Sequence, residues 1–373
     1  MVPLRVVFIA PAPDVLDDEP TQAERILRAW EQHGDVEVRT VHLRTFLSDL
    51  MSLSRDVARA DVVHVLSAPS SPGGIGTLSI LAAARVLGRP VILSYRDNAG
   101  LGELGRSAIA RRVLGTVATH IVPSTFMADA LDRLGIQATM IPNVIDLETF
   151  RFRERDPLRP RLVSTRDFEP LENVAATIRA FKIVQDRWRD ASLTLVGSGS
   201  QEADLRALAA ELGLRNVAFV GRTHEADLAA LYSENDIYLQ SANVDNMPTS
   251  ILQAFASGLP VVSTEAGGVP AVLTHGVHGL LVPLADYETL GHHVVRLLAR
   301  PDYARDLARA AHASCEGYTW PHVQDQWIRA YTSVLEGAYL MGGSFAAAGP
   351  FSIARDLRVG YATTNSPASH PGS

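Results

Sequence analysis

Cysteine is almost absent from this chain. The 373 residues contain one cysteine, Cys315, which excludes an internal disulfide framework and a cysteine-rich zinc site. Long apolar runs are absent as well, since none approaches the roughly 18 residues that span a bilayer. The first apolar stretch, residues 6–13, has only Arg5 before it and leads into acidic residues, which favours a buried strand over a secretory signal. We therefore expect a cytoplasmic protein.

Charged residues are few, and the negative ones are in excess. Asp, Glu, Lys and Arg make up 20% of the chain against 47% hydrophobic residues, which excludes a mainly disordered protein. The net charge of -7 argues against a nucleic-acid partner. No P-loop of the form Gly-x4-Gly-Lys-Ser/Thr is present, and Gly197-Ser-Gly199 lacks the third glycine of a dinucleotide fingerprint. The scattered histidines lack the cysteine or carboxylate spacing of a metal site and are interpreted as loop or helix-surface residues. No pattern for a resident cofactor is present in the sequence.

Short apolar runs alternate with amphipathic segments along most of the chain. This alternation predicts strand-helix units around a parallel sheet. In the first half, strands are predicted at residues 4–10, 36–41, 61–66, 91–95 and 120–123. In the second half, strands are predicted at 161–164, 192–196, 217–220, 237–240, 260–263 and 279–282, with helices at 174–188, 201–212, 226–234 and 249–257. At about 150 residues per domain, two α/β domains fit the length.

The alternation breaks at residues 143–161 and again near the end of the chain. In the first break, two prolines and five arginines replace the apolar periodicity: Pro157, Pro160, Arg151, Arg153, Arg155, Arg159 and Arg161. This composition predicts a linker with solvent-exposed arginines. From Met341 onward the chain is rich in Gly, Ala, Ser and Pro without a usable period, which predicts a flexible tail.

Residues 241–264 form the most informative segment, which has the pattern of a strand end, a loop, a helix, a glycine stop and a further strand. Asn246 suits a helix cap, Pro248 a first helical turn, and Gly258 the position just past a helix end. Free amides at a helix start bind anions, and ligands lie beyond the carboxyl ends of parallel strands. The segment therefore predicts a diphosphate site; because every helix has such an end, a purely structural helix start is the alternative.

Several short motifs occur along the chain in a fixed order. They are Ile141-Pro-Asn-Val-Ile-Asp146 with Phe150, Leu195-Val-Gly-Ser-Gly199, Val217-Ala-Phe-Val-Gly-Arg222, the segment 245–258, Gly267-Gly268-Val-Pro270 and Gly279-Leu-Leu-Val-Pro283. In this order and spacing, the chain resembles the retaining glycosyltransferases of GT-B family 4. The resemblance implies an α/β fold of two Rossmann-like, doubly wound parallel-sheet domains that face a central cleft. It also implies a nucleotide diphosphate sugar held mainly by the second domain, an acceptor held mainly by the first, and no requirement for a metal.

The resemblance also guides the domain boundaries. We expect a first, acceptor-side domain over residues 1–152 and a nucleotide-sugar-binding domain over residues 153–318. An amphipathic helix over residues 319–338, with Trp327 and Tyr331 among its apolar positions, is expected to cross back and pack on the first domain. Residues 339–373 are expected to form the flexible tail.

The family's acidic pair, Glu-x7-Glu, is changed at both positions. Asp245 and Gln253 stand at that spacing. Asp245 reaches one methylene less far than a glutamate, and Gln253 loses a charge but keeps a hydrogen-bond acceptor. The resemblance implies that Asp245 holds the donor sugar and that Gln253 bonds the ribose; capping of the following helix is the alternative role for Asp245. Four further residues are implied to contact the donor: Asn246, Met247, Pro248 and Thr249.

The family's basic pair for the diphosphate is reduced to one cation. Arg166 stands at the arginine position, whereas the lysine position holds Leu171 or Glu172, depending on the alignment. The resemblance implies that Arg166 clamps the diphosphate, with a surface ion pair as the alternative. Glu172 would repel the diphosphate if it pointed inward. The resemblance implies four more donor contacts, the last two of them near the base: Gly197, Gly199, Gly221 and Arg222.

The first domain departs from the family as well. A histidine that commonly follows its fourth strand is missing from Ser94-Tyr-Arg-Asp-Asn-Ala-Gly100. Arg96 stands there either as a cation for catalysis or in a structural or acceptor role, since an arginine cannot act as an acid or base near neutral pH. The acidic run Asp17-Asp18-Glu19 suits a solvated loop better than a metal site.

A basic amphipathic helix is predicted around residues 106–112. Arg106, Arg111 and Arg112 accompany Ile109 and Val113, a pattern that suits peripheral contact with anionic lipid at the inner membrane surface. A solvated helix face is the alternative interpretation.

Taken with the resemblance, these patterns predict a glycosyltransferase. It would move a sugar from a nucleotide diphosphate sugar to a glycan, lipid or small-molecule acceptor with retention of configuration. The changed positions keep a second class open, a catalytically impaired relative that binds a nucleotide sugar or a partner protein. An epimerase or phosphorylase on the same architecture has no positive support. The sequence assigns neither the acceptor nor an oligomeric state.

Overall fold

Two six-stranded parallel sheets organise the chain. A computed structural model describes residues 4–11, 36–43, 55–67, 74–95 and 108–340. The chain divides into a first unit of Met1–Pro123, Met127–Ile141 and Gln324–Ser373 and a second unit of Ser124–Phe126 and Pro142–Val323. The predicted tail from residue 341 lies outside the described residues, as do Asp17-Asp18-Glu19, Arg96 and Arg106.

The first sheet has the strand order β2-β1-β3-β4-β5-β6, with every neighbouring pair parallel. Its strands are β1 (Leu4–Pro11), β2 (Val36–Leu43), β3 (Val62–Ser67), β4 (Val91–Tyr95), β5 (Thr119–Val122) and β6 (Ala138–Met140). Helices described in this half include α1 (Gly74–Val86), α2 (Ala108–Leu114) and α3 (Thr125–Asp132), and residues 55–59 are helical as well. The predicted strands are confirmed. The three residues of β6 were not predicted, because a short, mostly exposed edge strand has no apolar run.

The second sheet has the strand order β12-β11-β10-β7-β8-β9 and is also parallel. Its strands are β7 (Arg161–Thr165), β8 (Ser192–Val196), β9 (Val217–Gly221), β10 (Ile237–Gln240), β11 (Val261–Thr264) and β12 (Leu280–Val282). The helices are α4 (Val174–Arg187), α5 (Glu202–Glu211), α6 (Glu225–Glu234), α7 (Thr249–Ala256), α8 (Val269–Val272), α9 (Tyr287–Ala299), α10 (Pro301–Ser314) and α11 (Trp320–Leu340). Short 3₁₀ turns occur at Pro170–Glu172 and Cys315–Tyr318.

The order of the strands in the second sheet creates one switch point. The chain starts the sheet in its middle at β7, continues outward through β8 and β9, and then returns to the other side of β7 for β10, β11 and β12. The carboxyl ends of β7 and β10 are therefore neighbours in the sheet. Ligands of open parallel sheets bind where the strand order reverses in this way. The loops after β7 and β10 are consequently the first place to look for a site.

The segment predicted to be an exposed linker packs into the second unit. It forms no regular strand or helix between residues 142 and 160, but Ile145 and Phe150 are buried in the same core as Ile251 and Phe255 of α7. Residues 142–152, which the sequence analysis places at the end of the first domain, thus belong to the second unit.

Arg155 corrects the prediction of solvent-exposed arginines, because it is only 2% exposed. Its guanidinium donates to the carbonyl oxygens of Tyr232 (2.8 Å from Nη2), Asn235 and Ser257. These carbonyls lie at the carboxyl ends of α6 and α7, where backbone acceptors lack partners within their own helix. Burial and the neighbouring Arg153 lower the pKa of Arg155 to about 9. The arginine therefore ties two helix ends together.

Two more arginines of this run form ion pairs with one buried carboxylate. Arg153 and Arg161 lie 3.1 Å and 2.6 Å from the two carboxylate oxygens of Asp236, which has no exposed surface. A buried carboxylate is stable only when it is paired and hydrogen-bonded. The arginines thus satisfy a buried charge at the start of β10, while 36% of each arginine side chain remains exposed.

Helix α11 carries the predicted apolar stripe. Val323, Trp327, Tyr331 and Val334 are all buried, and the helix from Gln324 onward is part of the first unit. In the described segments, no helix is both long enough and apolar enough to cross a membrane.

A histidine lies in the core of the first unit. His64 on β3 has no exposed surface. Its Nε2 is 2.6 Å from Ser94 Oγ on β4, and its Nδ1 is 2.6 Å from the Tyr331 hydroxyl on α11. Burial lowers the pKa of His64 to about 3. The neutral ring thus links two strands and a helix.

This depressed pKa predicts an acid-sensitive first unit. Below the ordinary pKa of about 6.5 the unfolded chain binds a proton that folded His64 does not, so the free energy of unfolding falls as the pH drops from about 6.5 towards about 3. Between pH 6.5 and 5.0 the wild type should lose about 1.6 kcal/mol more than His64→Gln in urea unfolding. His224→Gln supplies a matched histidine-to-glutamine control at an exposed position. Equal slopes for wild type and His64→Gln would contradict this role.

Candidate functional site

An ion pair lies at the switch point of the second sheet. Arg166 directly follows β7, and Asp245 lies in the loop between β10 and α7. Arg166 Nη1 is 3.0 Å from Asp245 Oδ2, and the side chains are 14% and 6% exposed. The structure therefore brings together the two residues that the sequence analysis selected for diphosphate and sugar.

A second carboxylate shares the same guanidinium. Nε and Nη2 of Arg166 both lie 2.5 Å from Oε2 of Glu172, in the 3₁₀ turn Pro170–Glu172. Glu172 thus points inward, and the mostly buried contact is not the surface ion pair weighed as an alternative. Leu171, the other residue at the lysine position, is 61% exposed.

Two acids and one cation leave the cluster with a formal charge of minus one. Burial raises the pKa of both Asp245 and Glu172, and Arg166 offsets only part of that rise. Burial alone would lower the pKa of Arg166, but Asp245 and Glu172 outweigh it and raise that pKa. The guanidinium therefore stays charged, and its neighbours compete for it.

A buried polar network holds Asp245 in place. Gln240 at the end of β10 donates from Nε2 to Asp245 Oδ2 at 3.1 Å. Gln240 Oε1 in turn accepts from Ser250 Oγ at 3.3 Å and from the Tyr238 hydroxyl at 3.2 Å. Because the amide side chain is bonded on both sides, it fixes the carboxylate that faces Arg166.

Gln253 belongs to the same network through Tyr232. The buried Tyr232 hydroxyl lies 3.2 Å from Gln253 Oε1 and 2.8 Å from Thr165 Oγ1. The half-buried Gln253 lies one turn into α7. Sequence reasoning missed Thr165, Tyr232, Gln240 and Ser250. Thr165 and Gln240 could have been found from the sequence, because each is the last residue of a strand and ligands bind beyond the carboxyl ends of parallel strands. Tyr232 has no sequence signal of its own.

The start of α7 differs from the predicted arrangement. The cap position is Pro248, and no side chain caps the helix, so the prediction of Asn246 as the cap is wrong. Asn246 Oδ1 is buried without a partner among the described residues. The N–H of buried Met247 donates to the Asp245 carboxylate, and the N–H of Thr249 donates to the Met247 carbonyl. These two amides therefore already have acceptors within the chain.

The Thr249 side chain has a partner from the segment 142–160. Asn143 Nδ2 donates to Thr249 Oγ1 at 2.9 Å. Asn143 is in the Ile141-Pro-Asn-Val-Ile-Asp146 motif, but the sequence analysis gave it no role at the site. The contact fixes the first helical residue of α7.

Two glycines press against the backbone of the Asp245 loop. The N–H of Gly268 donates to the Asp245 carbonyl at 2.7 Å. A Cβ on Gly268 would lie 2.1 Å from the Asn246 carbonyl oxygen, and one on Gly267 would lie 2.2 Å from the Asp245 carbonyl oxygen. The Gly267-Gly268 pair is therefore required by close backbone approach.

Gly268→Ala should disturb the site and destabilise the second unit by about 1–3 kcal/mol, because the added methyl overlaps a carbonyl oxygen. Gly317→Ala is a matched control, since a Cβ on Gly317 would have no neighbouring atom within 4 Å and the backbone there is not left-handed. Chemical unfolding of both variants measures the difference. Equal stabilities would contradict the close approach.

The glycines after β8 have a similar role. A Cβ on Gly197 would lie 2.3 Å from the Arg166 carbonyl oxygen, and one on Gly199 would lie 2.6 Å from that of Phe168. Gly221, at the end of β9, accepts from the Gly197 N–H at 2.9 Å and has a left-handed φ of +82°. Arg222 forms an exposed 3.3 Å ion pair with Asp167. Gly197, Gly199 and Arg222 therefore border the loop that carries Arg166, and Gly221 is joined to that loop through Gly197.

The remaining predicted residues lie on α2 or outside the described residues. Arg111 and Arg112 are exposed on α2, while Arg106 and Arg96 are not described. Within the described ranges, no three His, Cys, Asp or Glu side chains are grouped to hold a metal ion.

Two family models match consecutive parts of the chain. "Glycosyltransferase Family 4" matches residues 4–149, and "Glycosyl transferases group 1" matches residues 148–314. The chain belongs to the family 4-like glycosyltransferases with the GT-B fold.

Curated relatives are similar at moderate identity. The chain is 29% identical over 356 residues to a GDP-mannose-dependent alpha-mannosyltransferase of Mycolicibacterium smegmatis, covering 87% of this chain and 88% of the relative. It is 25% identical to a sulfoquinovosyl transferase of Arabidopsis thaliana, covering 70% and 54% of the two chains. It is 29% identical to a phosphatidyl-myo-inositol mannosyltransferase of Mycobacterium leprae, covering 60% of each. The chain thus spans little more than half the length of these last two relatives.

Solved structures share the fold. HepE from Anabaena in complex with UDP-glucose has a TM-score of 0.72 at 15% identity, covering 88% of this chain and 100% of the other. Sucrose-phosphate synthase from Thermosynechococcus elongatus has a TM-score of 0.71 at 18% identity, covering 90% and 100%. The predicted α/β fold class with two Rossmann-like units is confirmed.

Proposed function

We propose that this protein transfers a hexose from a nucleotide diphosphate sugar to an acceptor with retention of configuration. One observation carries the proposal: Arg166, the cation of the Arg166–Asp245–Glu172 cluster, lies at the switch point of the second sheet. The chain around it belongs to a glycosyltransferase family. In the reaction, the bond from the anomeric carbon to the diphosphate oxygen breaks, a bond to an acceptor hydroxyl oxygen forms, and the proton of that hydroxyl is released to the departing diphosphate. A cation at the departing diphosphate lowers the barrier by stabilising the charge that develops there.

Each residue of the site has a proposed role. Arg166 binds the diphosphate, and Asp245 with the segment 246–249 binds the sugar. Gln253 bonds a ribose hydroxyl through its amide, which Tyr232 orients. The nucleobase of the donor lies near Gly221 and Arg222. Arg96 remains a proposed cation of the first unit, and the proposal includes no metal.

Removal of the Arg166 charge tests the proposal. Arg166→Met should weaken binding of UDP or GDP about tenfold to hundredfold, because charge-assisted hydrogen bonds contribute about 1.5–3 kcal/mol each. Isothermal titration calorimetry with UDP, GDP, UDP-glucose and GDP-mannose measures this. Arg309→Met is the matched control, since Arg309 forms an ion pair with Glu154 elsewhere in the second unit. Arg166→Lys keeps the positive charge, so comparing its affinity with that of Arg166→Met separates loss of the charge from damage to the fold. Unchanged affinity in Arg166→Met would contradict the proposed clamp.

The arrangement around Arg166 also favours a second candidate, a relative that binds a nucleotide sugar without turning it over. Two carboxylates already neutralise the single cation, which leaves less positive charge for the leaving group. Product analysis by NMR separates the two candidates, because transfer or slow hydrolysis releases free nucleotide diphosphate. Binding without either product supports the non-catalytic candidate.

We also propose that the first unit contacts anionic lipid. Helices α1 and α2 pack together, and they expose Arg85, Arg111, Arg112 and the 85% exposed Val86. Residues 74–95 and 108–118 contain no Asp or Glu. A basic surface with an exposed apolar side chain suits an anionic membrane. A location at the cytoplasmic face of a membrane is part of this proposal.

The double variant Arg111→Gln/Arg112→Gln should bind vesicles that contain anionic phospholipid about thirtyfold more weakly, since each basic residue near such a surface contributes about 1 kcal/mol and two are removed. Co-sedimentation with anionic and with purely zwitterionic vesicles measures this. Equal co-sedimentation of the wild type with both kinds of vesicle would instead indicate a solvated helix face.

A further inference from the structure

One edge of the Arg166 guanidinium is occupied by a side chain of the same protein. Glu172 Oε2 lies 2.5 Å from both Nε and Nη2, while Asp245 Oδ2 lies 3.0 Å from Nη1. The Nε and Nη2 pair is an edge that binds an oxyanion through two parallel hydrogen bonds. A phosphate can therefore take this edge only when Glu172 leaves it.

The two carboxylates are held very differently. Asp245 accepts from Gln240 and from the N–H of Met247 in addition to Arg166. Among the described residues, Arg166 alone donates to the Glu172 carboxylate, and the Glu172 side chain is 23% exposed against 6% for Asp245. The backbone of its turn is anchored, because the Asn243 N–H donates to the Leu171 carbonyl at 2.8 Å. Glu172 is thus the carboxylate whose side chain can turn away while the loop stays in place.

We propose that Glu172 is an intramolecular competitor of the donor diphosphate: it occupies the oxyanion-binding edge of Arg166 in the free protein and is displaced when the donor binds. This inference rests on the proposed function, because it concerns the same site. By the resemblance, Glu172 or its neighbour Leu171 stands where the family carries a lysine, and the carboxylate of Glu172 imitates the oxygens of a phosphate. The consequence is weak binding of both the donor and the nucleotide diphosphate product.

The opposite role for Glu172 is to position Arg166. The two roles predict opposite changes in affinity, because a competitor weakens binding and a positioning residue strengthens it. Glu172→Gln separates them, since it keeps the shape of the side chain and removes the charge. The charged groups that face Glu172 are Arg166, Asp245 and Asp167, and all three remain in this variant.

The test is the dissociation constant for UDP, GDP and inorganic pyrophosphate, measured by calorimetry on the full chain. Glu172→Gln should bind the nucleotide at least about tenfold more tightly than the wild type, and Glu172→Lys more tightly still. Glu154→Gln is the matched control, because it removes a carboxylate from the Arg309–Glu154 ion pair away from the switch point; its affinity should equal that of the wild type. Glu172→Ala carries the same expectation if the glutamine variant does not fold.

The possible failures are distinguishable. If the wild type binds nucleotide and Glu172→Gln binds equally or less tightly, the competitor role is overturned while donor binding stands. If folded wild type, Glu172→Gln and Glu172→Lys all fail to bind any nucleotide diphosphate or pyrophosphate, both the proposed function and this inference are overturned.

Discussion

The charge of Arg166, shared by Asp245 and Glu172, is the constraint around which the interior of the second unit is arranged. A buried ion costs several kcal/mol unless it is paired and its remaining groups are bonded. Gln240, the Met247 N–H and the glycines that press on the Asp245 loop meet this requirement. The site is rigid on the Asp245 side for this reason, and only the Glu172 side has room to change.

A second group of buried charges stabilises the second unit away from the site. Arg155 bonds the carbonyls at the carboxyl ends of α6 and α7, and Asp236 pairs with Arg153 and Arg161 at the opposite end of the sheet from the site. Helix α7 is thus fixed at both ends, by Arg155 at its carboxyl end and by Asn143 at its start. Because both ends of the helix are attached, Gln253 and Ser250 are held beside the residues that follow β7 and β10.

Sequence reasoning predicted most of the fold because apolar runs bounded by turn residues define buried parallel strands. The bounds of β4, β8 and β10 are predicted to the residue, and α4 and α7 to within one residue. Helices α9 and α10 were not predicted, although stripes such as Leu290, Val294 and Leu297 carried the signal. Arg155 was misjudged because the helix-end carbonyls to which it donates lie 77 to 102 residues away in the chain. The orientation of Glu172 likewise depends on a turn whose sequence fixes no side-chain direction.

The central claim is that a nucleotide diphosphate binds at the switch point of the second sheet, beside Arg166. Amide hydrogen exchange, measured with and without saturating nucleotide diphosphate, tests it directly because it locates the bound ligand without a substitution. The account predicts slower exchange on binding in residues 166–173 and 245–253. Nucleotide binding that leaves exchange in both segments unchanged would contradict it.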